Sequence, residues 1–172
     1  MPNDPLILTL GMDEAAFATF DRQRRQYFPA KLNHIPAHAT LFHHLPGDEE
    51  AGIGETLTAL LRTEPPPEIA VSGLRLTGRG VAYVLDSAAL AALHGRLAKH
   101  FAPWLTPQDR QGFRPHVTVQ NKVAPETARA LHEDLQAGFA PFRFTATGLL
   151  LWRYLGGPWE ARGRFPFAGA AR

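Results

Sequence analysis

Two segments of this chain carry residues able to do acid–base chemistry in the same way: His38-Ala39-Thr40-Leu41 and His116-Val117-Thr118-Val119. Each lies in a short apolar run that reads as a strand, and side chains alternate along a strand. His38 and Thr40 therefore share a face, with Ala39 and Leu41 on the other. His116 and Thr118 share a face in the same manner. Residues i and i+2 of an extended chain lie roughly 7 Å apart, about the span that flanks one phosphate. Cleaving a phosphodiester needs a base for the attacking oxygen and an acid for the departing one. With an ordinary pKa of about 6.5, one imidazole can be neutral and another charged near neutrality. The threonine hydroxyls and the cationic ring would hold the non-bridging oxygens as charge builds. A strained cyclic phosphate is already activated, so the chemistry calls for no metal and no cofactor. One such segment would read as structural; two in equivalent settings read as a site.

The elements that position these residues run in the same order twice. Leu6-Ile7-Leu8-Thr9-Leu10 reads as a buried strand, and Asp13 to about Phe28 as a helix with Phe17, Phe20 and Tyr27 on one side. A Pro-containing loop leads to His38. A helix from about Glu49 to Arg62 follows, with Ile53, Leu57, Leu60 and Leu61 at helical spacing and Pro65-Pro66-Pro67 as its stop. Ile69 to Thr77 and Val81 to Leu85 are strands joined by the turn Gly78-Arg79-Gly80. The strand from Val81 also opens the second series. There a helix from Ser87 to Phe101 and a longer loop from Ala102 to Pro115 lead to the strand at His116. The next helix begins at Pro125 and carries Ala128, Leu131, Leu135 and Phe139. Strands Phe142 to Tyr154 and Trp159 to Phe167 close the chain around Gly156-Gly157-Pro158.

Apolar parity slips by one residue at Ser72-Gly73 and again at Thr147-Gly148, each predicting a β-bulge beside a glycine. The chain thus reads as a single two-lobed α+β domain with pseudo-repeat halves of about 1–80 and 81–172.

Composition narrows the function classes. There is no cysteine, which removes disulfides, thiolate nucleophiles and cysteine-held metal sites. No apolar run is long enough to span a membrane. Met1-Pro2-Asn3-Asp4 shows no basic, then apolar export signal, so a cytoplasmic location is expected. A net charge of +2 is too small to argue for a nucleic-acid coat. Only Lys31, Lys99 and Lys122 of the 18 basic residues are lysines. That arginine bias suits phosphate but is also what a GC-rich genome produces.

The paired segments, the lead-in Pro115-His116 and the element order resemble the two-histidine (2H) phosphoesterases, which include the bacterial 2′-5′ RNA ligase-like and 2′,3′-cyclic phosphodiesterase proteins. The resemblance covers nearly the whole chain. It implies a bilobal α+β fold of duplicated plan, with antiparallel sheets lining a central cleft and helices outside. It implies hydrolysis of RNA 2′,3′-cyclic phosphate ends, or related cyclic nucleotides, to 2′-phosphates, and in some members reversible 2′-5′ ligation. His38 and His116 become the acid–base pair, and Thr40 and Thr118 the phosphate-binding hydroxyls. The expected partners are RNA ends or a cyclic nucleotide, handled by a monomer without metal, cofactor or membrane. Many relatives have a basic residue soon after each motif, whereas here Phe42-His43-His44 and Gln120-Asn121-Lys122 follow. A non-catalytic nucleotide-binding module is the rival reading.

Secondary candidates are fewer. By strand parity Phe42 and Gln120 continue the cleft-facing rows, Phe42 either stacking on a base or packing in the core. Arg114 could pair with a second phosphate, and Lys122 follows the second motif. Trp152 and Tyr83 lie on counterpart strands, where packing and ligand contact are both open. His34, His43 and His44 read as a polar loop without metal-ligand spacing. His94, His100 and His132 read as surface residues of helices.

Overall fold

The apolar run near the start of the chain becomes the strand on which one lobe is built. In the computed structural model, which describes residues 3–170, β1 (Leu6–Met12) is buried through residue 11. It pairs antiparallel with β2 (Thr40–Leu45) and with a strand near the chain's end. Three strands follow in the other lobe: β3 (Glu68–Leu76), β4 (Val81–Asp86) and β5 (His116–Gln120). Two long strands, β6 (Phe142–Tyr154) and β7 (Trp159–Pro166), complete the set. Pairing is antiparallel throughout, in the order β2-β1-β6-β3-β4-β5 with β7 also on β6. β6 serves both lobes: residues 142–145 pair with β3, residues 146–153 with β1 and residues 148–154 with β7. The class is α+β, as the alternating and helical patterns required. Met1 and Pro2, the start of the segment read for an export signal, lie outside the described residues.

Five α-helices accompany the strands: α1 (Glu14–Tyr27), α2 (Glu50–Leu61), α3 (Ala88–His100), α4 (Pro107–Arg110) and α5 (Pro125–Ala137). No helix among the described residues is long and apolar enough to cross a membrane. Their starts follow from local chemistry. Asp13 caps α1 by accepting from the Ala16 amide, Ser87 caps α3 at Leu90, and prolines occupy the first turns of α4 and α5. The Asp13 carboxylate also accepts from the Thr145 amide at 3.0 Å, fastening the start of α1 to β6 where it passes between lobes. The helices cross over: α1 packs on β5, α5 on β3 and β4, and α2 on β7. From α3, His94 reaches across to stack on Phe42 of β2. Phe20, fully buried on α1, meets Tyr83 of β4 at 5.2 Å and Phe144 of β6 at 6.2 Å.

One expectation changes. The segment Ala102 to Pro115 is not all loop; a 3₁₀ turn at Ala102–Trp104 and the single-turn α4 interrupt it. Thr106-Pro107-Gln108-Asp109 supplies the cause, since the Thr106 hydroxyl accepts from the Asp109 amide and Pro107 presets the first helical φ.

Both expected bulges are present. Val71 faces Leu85 and Gly73 faces Val84, leaving Ser72 as the extra residue. Gly11 faces Gly148 and Met12 faces Ala146, leaving Thr147 extra. The two glycines differ in what surrounds them. A Cβ on Gly148 would sit 2.4 Å from the Phe165 carbonyl oxygen, whereas one on Gly73 meets nothing within 4 Å. Gly148→Ala is therefore expected to destabilise by about 1–3 kcal/mol through overpacking and to lower Tm by at least about 2 °C. Gly73→Ala should leave Tm within a degree or so. Thermal unfolding of the two variants side by side checks the contrast, and equal Tm values would contradict it.

Candidate active site

The two His-x-Thr segments meet in one groove. His38, Thr40, His116 and Thr118 line a single cavity of about 150 Å³ together with Ile7, His43 and Trp159. Strand pairing explains the convergence. Thr40 lies opposite Thr9 across β1 and β2, and His116 and Thr118 lie opposite Val84 and Ala82 across β4 and β5. His38 sits two residues before the first residue of β2, and His116 is the first residue of β5.

Both imidazoles are held by the same device. His38 Nδ1 meets the Pro36 carbonyl at 2.9 Å, and His116 Nδ1 meets the Arg114 carbonyl at 2.9 Å. A carbonyl can only accept, so each Nδ1 carries the hydrogen and each Nε2 is the atom left for chemistry. Proline shapes both approaches: Pro36 supplies one acceptor, and Pro115 biases Arg114 toward extended backbone.

The groove disfavours protonation of either ring. Burial lowers the His38 pKa to about 4, against the raising effect of the Pro36 carbonyl and with further lowering from Arg24, His116 and His43. The Trp159 ring, 4.7 Å away, is part of that enclosure. His116 is also lowered, first by burial and then by Arg75 and His43, with the Arg114 carbonyl opposing.

A third imidazole enters where parity placed a phenylalanine. Phe42 does not continue the cleft-facing row; it is fully buried, stacked on His94 at 4.6 Å and edge-on to Phe101. The reason is a slip in β2, whose register against β1 is irregular on both sides of Phe42. The slip turns His43 into the groove. Asp109 on α4 holds it there, accepting from His43 Nδ1 at 2.9 Å and from the amides of His43 and His44 at 2.9 and 3.0 Å. Burial would raise the Asp109 pKa, but these hydrogen bonds outweigh it and hold the carboxyl below its ordinary value. His43 and His44 thus belong to a strand rather than a loop.

The remaining candidates divide. Trp152 donates from Nε1 to Thr9 Oγ1 at 2.9 Å and, with Trp159 and His38, lines a largely apolar cavity of about 240 Å³ beside the groove. Arg114 is exposed and lines a polar cavity of about 340 Å³ on the other side, with Arg75, His43 and His116. Gln120 is buried and does not line the groove, because the β4–β5 register slips between the Ala82–Thr118 and Val81–Gln120 pairs, leaving Val119 extra and breaking the alternation after Thr118. Lys122 is exposed in the turn after β5, at φ 62°, and does not reach the groove. Tyr83 packs in the core and donates to Gln23 at 2.7 Å. His94 is not a surface residue: it is 8% exposed, between Phe42 and Phe113, and its Nε2 donates to the Leu41 carbonyl. Among the described residues no three His, Asp or Glu side chains gather as a metal-holding group.

His43, Asp109, Arg75 and Trp159 are therefore residues that the sequence reading passed over. For His43 a signal was present: Leu41-Phe42 puts two apolar residues side by side, the same sign that marked the two glycine bulges. Asp109, Arg75 and Trp159 arrive only through the tertiary fold.

A family model described as the 2′-5′ RNA ligase superfamily matches residues 12–158. The chain is similar in structure to the Thermus thermophilus protein TT0787, at 18% identity and TM-score 0.64, covering 97% of this chain and 100% of that one. It is also similar to E. coli LigT complexed with NADP+, at 14% identity and TM-score 0.61, over 96% of this chain and 99% of that one. LigT complexed with 3′-AMP gives 17% identity and TM-score 0.59, over 96% and 98%. No curated protein sequence matches.

The Asp109 contact generates a stability test. Asp109→Ala is expected to cost about 1–3 kcal/mol for each amide left without its acceptor. Because the folded-state pKa is depressed, that contribution is complete above about pH 4, the ordinary carboxyl value, and is lost as pH falls through the lower native value. Urea midpoints for wild type and variant should therefore stay apart from pH 7 down to about 4 and converge below it; a gap that widens on acidification would contradict this role.

Proposed function

The chain belongs to the 2′-5′ RNA ligase superfamily, and from that premise we propose a metal-independent phosphodiesterase that opens RNA 2′,3′-cyclic phosphate ends, or related cyclic nucleotides, to 2′-phosphates. The observation that carries the reading is the shared lock: two imidazoles, each with Nδ1–H committed to the carbonyl two residues back, meeting in one groove with two threonine hydroxyls.

The chemistry follows from that geometry. In-line displacement at phosphorus puts the attacking and leaving oxygens on opposite sides. One neutral Nε2 takes a proton from water as its oxygen bonds to phosphorus. The other ring, cationic, gives its Nε2 proton to the ribose 3′-oxygen as the P–O3′ bond breaks. A 2′-phosphate and a 3′-hydroxyl result. Thr40 and Thr118 donate to the non-bridging oxygens, where charge accumulates. The Trp152–Trp159 cavity offers a surface for the base, and stacking is worth about 1–3 kcal/mol per base. LigT, structurally similar, has been crystallised with 3′-AMP and with NADP+, which supports a nucleotide in this groove.

Because the two locks are alike, each ring can act as acid or as base, and a 5′-hydroxyl in place of water would give a 2′-5′ linkage. Joined product on mixing cyclic-ended and 5′-hydroxyl RNAs would identify that second reading.

His38→Ala and His116→Ala should each lower turnover of 2′,3′-cyclic phosphates at least about 100-fold, with wild-type activity retained in excess chelator. Phosphorus NMR of the product should show the 2′-phosphate. Near-normal turnover in either variant would refute the assignment, and binding without turnover in wild type would favour a non-catalytic module.

The pH profile carries a sign as well. kcat/KM reports the free protein, in which one ring must be neutral and the other charged. With His38 at about 4 and His116 below the ordinary 6.5, kcat/KM should peak on the acid side of 6.5. Bound phosphate favours the cation, so the kcat profile should lie at higher pH. A kcat/KM maximum above pH 7 would contradict the enclosure described for these rings.

A further inference from the structure

We propose that the polar cavity on the His116 side of the groove is a subsite for a second phosphoryl group, so that the preferred substrate is a cyclic-phosphate terminus also bearing a 5′-phosphoryl group. This rests on the phosphodiesterase reading of the groove and names the substrate class within it.

The cavity, about 340 Å³, joins the central groove through Thr40, His43 and His116, and it is the larger of the two. Two guanidinium groups line it, Arg75 from β3 and Arg114 from the lead-in to His116. Among the described residues neither is in an ion pair, whereas Arg25, Arg96, Arg129, Arg143, Arg153 and Arg162 each contact a carboxylate. Arg75 is half-buried, and a partly desolvated cation without a counterion is costly until an anion arrives. The guanidinium fork matches phosphate oxygens in pairs. The carboxylate in the same cavity does not oppose this: the Asp109 side chain is 1% exposed and committed to His43 and the His44 amide. His43, held by Asp109 through Nδ1, keeps Nε2 for a ligand at the boundary between the two spaces.

Ribose geometry assigns the occupant. A 2′,3′-cyclic phosphate seated between His38 and His116 sits on the C2′–C3′ edge of the furanose. The base leaves from C1′ on one flank, and the 5′ carbon leaves from C4′ on the other. Two side cavities flank the groove and share no lining residue: one lined by Trp152 and Trp159 with a single guanidinium, Arg164, reached past His38, and one lined by both Arg75 and Arg114, reached past His116. A base suits the first and a phosphoryl group the second. An RNA 3′ end satisfies both, because its terminal nucleotide carries a 5′-phosphodiester; a cyclic mononucleoside leaves the arginines empty.

The test compares adenosine 2′-monophosphate with adenosine 2′,5′-bisphosphate by calorimetry on the intact protein. It is paired with turnover of adenosine 2′,3′-cyclic phosphate with and without a 5′-phosphate. The bisphosphate should bind at least about tenfold tighter, the size expected of one charge-assisted contact, and the 5′-phosphate should raise kcat/KM by a similar factor. Arg114→Gln, at an exposed position, should erode that preference while monophosphate affinity changes by less than about threefold, and adding Arg75→Gln should abolish the preference, read as the ratio of bisphosphate to monophosphate affinity in the same variant. Equal affinity for the two nucleotides, or variants that weaken both alike, would overturn the subsite. Equal kcat/KM for the two cyclic substrates would overturn it while leaving the phosphodiesterase reading intact. A bisphosphate preference with no turnover of either cyclic substrate would support the subsite and refute that reading.

Discussion

Arg24 is carried on α1, yet it decides how far apart the two histidine segments stand. The residue is 5% exposed, and its guanidinium lies over the Phe28 ring at 4.2 Å. Nε donates to Asn33 Oδ1 at 2.9 Å, in the loop that leads to His38. A terminal nitrogen donates to the Thr118 carbonyl at 3.0 Å, on the strand that begins with His116. One turn earlier on the same helix, Asp21 accepts from the Ala37 amide at 3.0 Å. Two charged side chains on one helical face thus hold the loop before the first motif, and one of them also grips the second motif. Burial lowers the Arg24 pKa, with the neighbouring Asp21 opposing. Such a buried cation is expensive unless its donors are satisfied. Here they are bound to the groups whose spacing matters, and its charge also opposes protonation of His38.

The opposite corner of the groove is held by aromatic stacking rather than charge. His94 lies parallel to Phe42 and to Phe113, with centroids at 4.6 and 3.9 Å, and donates to the Leu41 carbonyl. Burial lowers its pKa, which keeps the ring in the neutral form that stacks and donates without a charge to solvate. This one side chain joins α3 to β2 and to the segment just before Arg114-Pro115-His116. Glu50, at the start of α2, braces the far rim by pairing with Arg153 of β6 and Arg162 of β7. The groove is therefore walled by edge strands, each fixed from behind by a helix from the other motif's half of the chain.

Much of this was legible in the residues, and the exceptions have separate causes. The motif faces, the order of strands and helices along the chain, the helix starts and both glycine bulges follow from alternation, spacing and side-chain chemistry that act within a few residues. Parity failed at Phe42 because the slip there is forced by packing against His94 and Phe101, which lie some 50 residues away in sequence and in another element. His94 read as a surface residue from its polarity alone, although it stands four residues after Leu90 and three before Leu97, on the buried stripe of α3, where two aromatic rings enclose it. Asp109 could be placed in a capped turn from Thr106-Pro107, but not opposite His43, since nothing local connects α4 to β2. Trp159 reaches His38 only because β7 pairs with β6. Distance along the chain accounts for Asp109, Arg75 and Trp159, whereas α4 and the slip at Phe42 left local signs in Thr106-Pro107 and Leu41-Phe42.

The crossed packing makes the two halves of the chain mutually dependent. β1 needs β6 beside it, α1 needs β5 beneath it, and β2 needs the His94 stack from α3. A polypeptide of half this size, with one His-x-Thr segment, would have open strand edges, an uncovered helix and a single imidazole. Neither half can therefore close the groove by itself, and the two reactive imidazoles come into register only when the whole chain has folded.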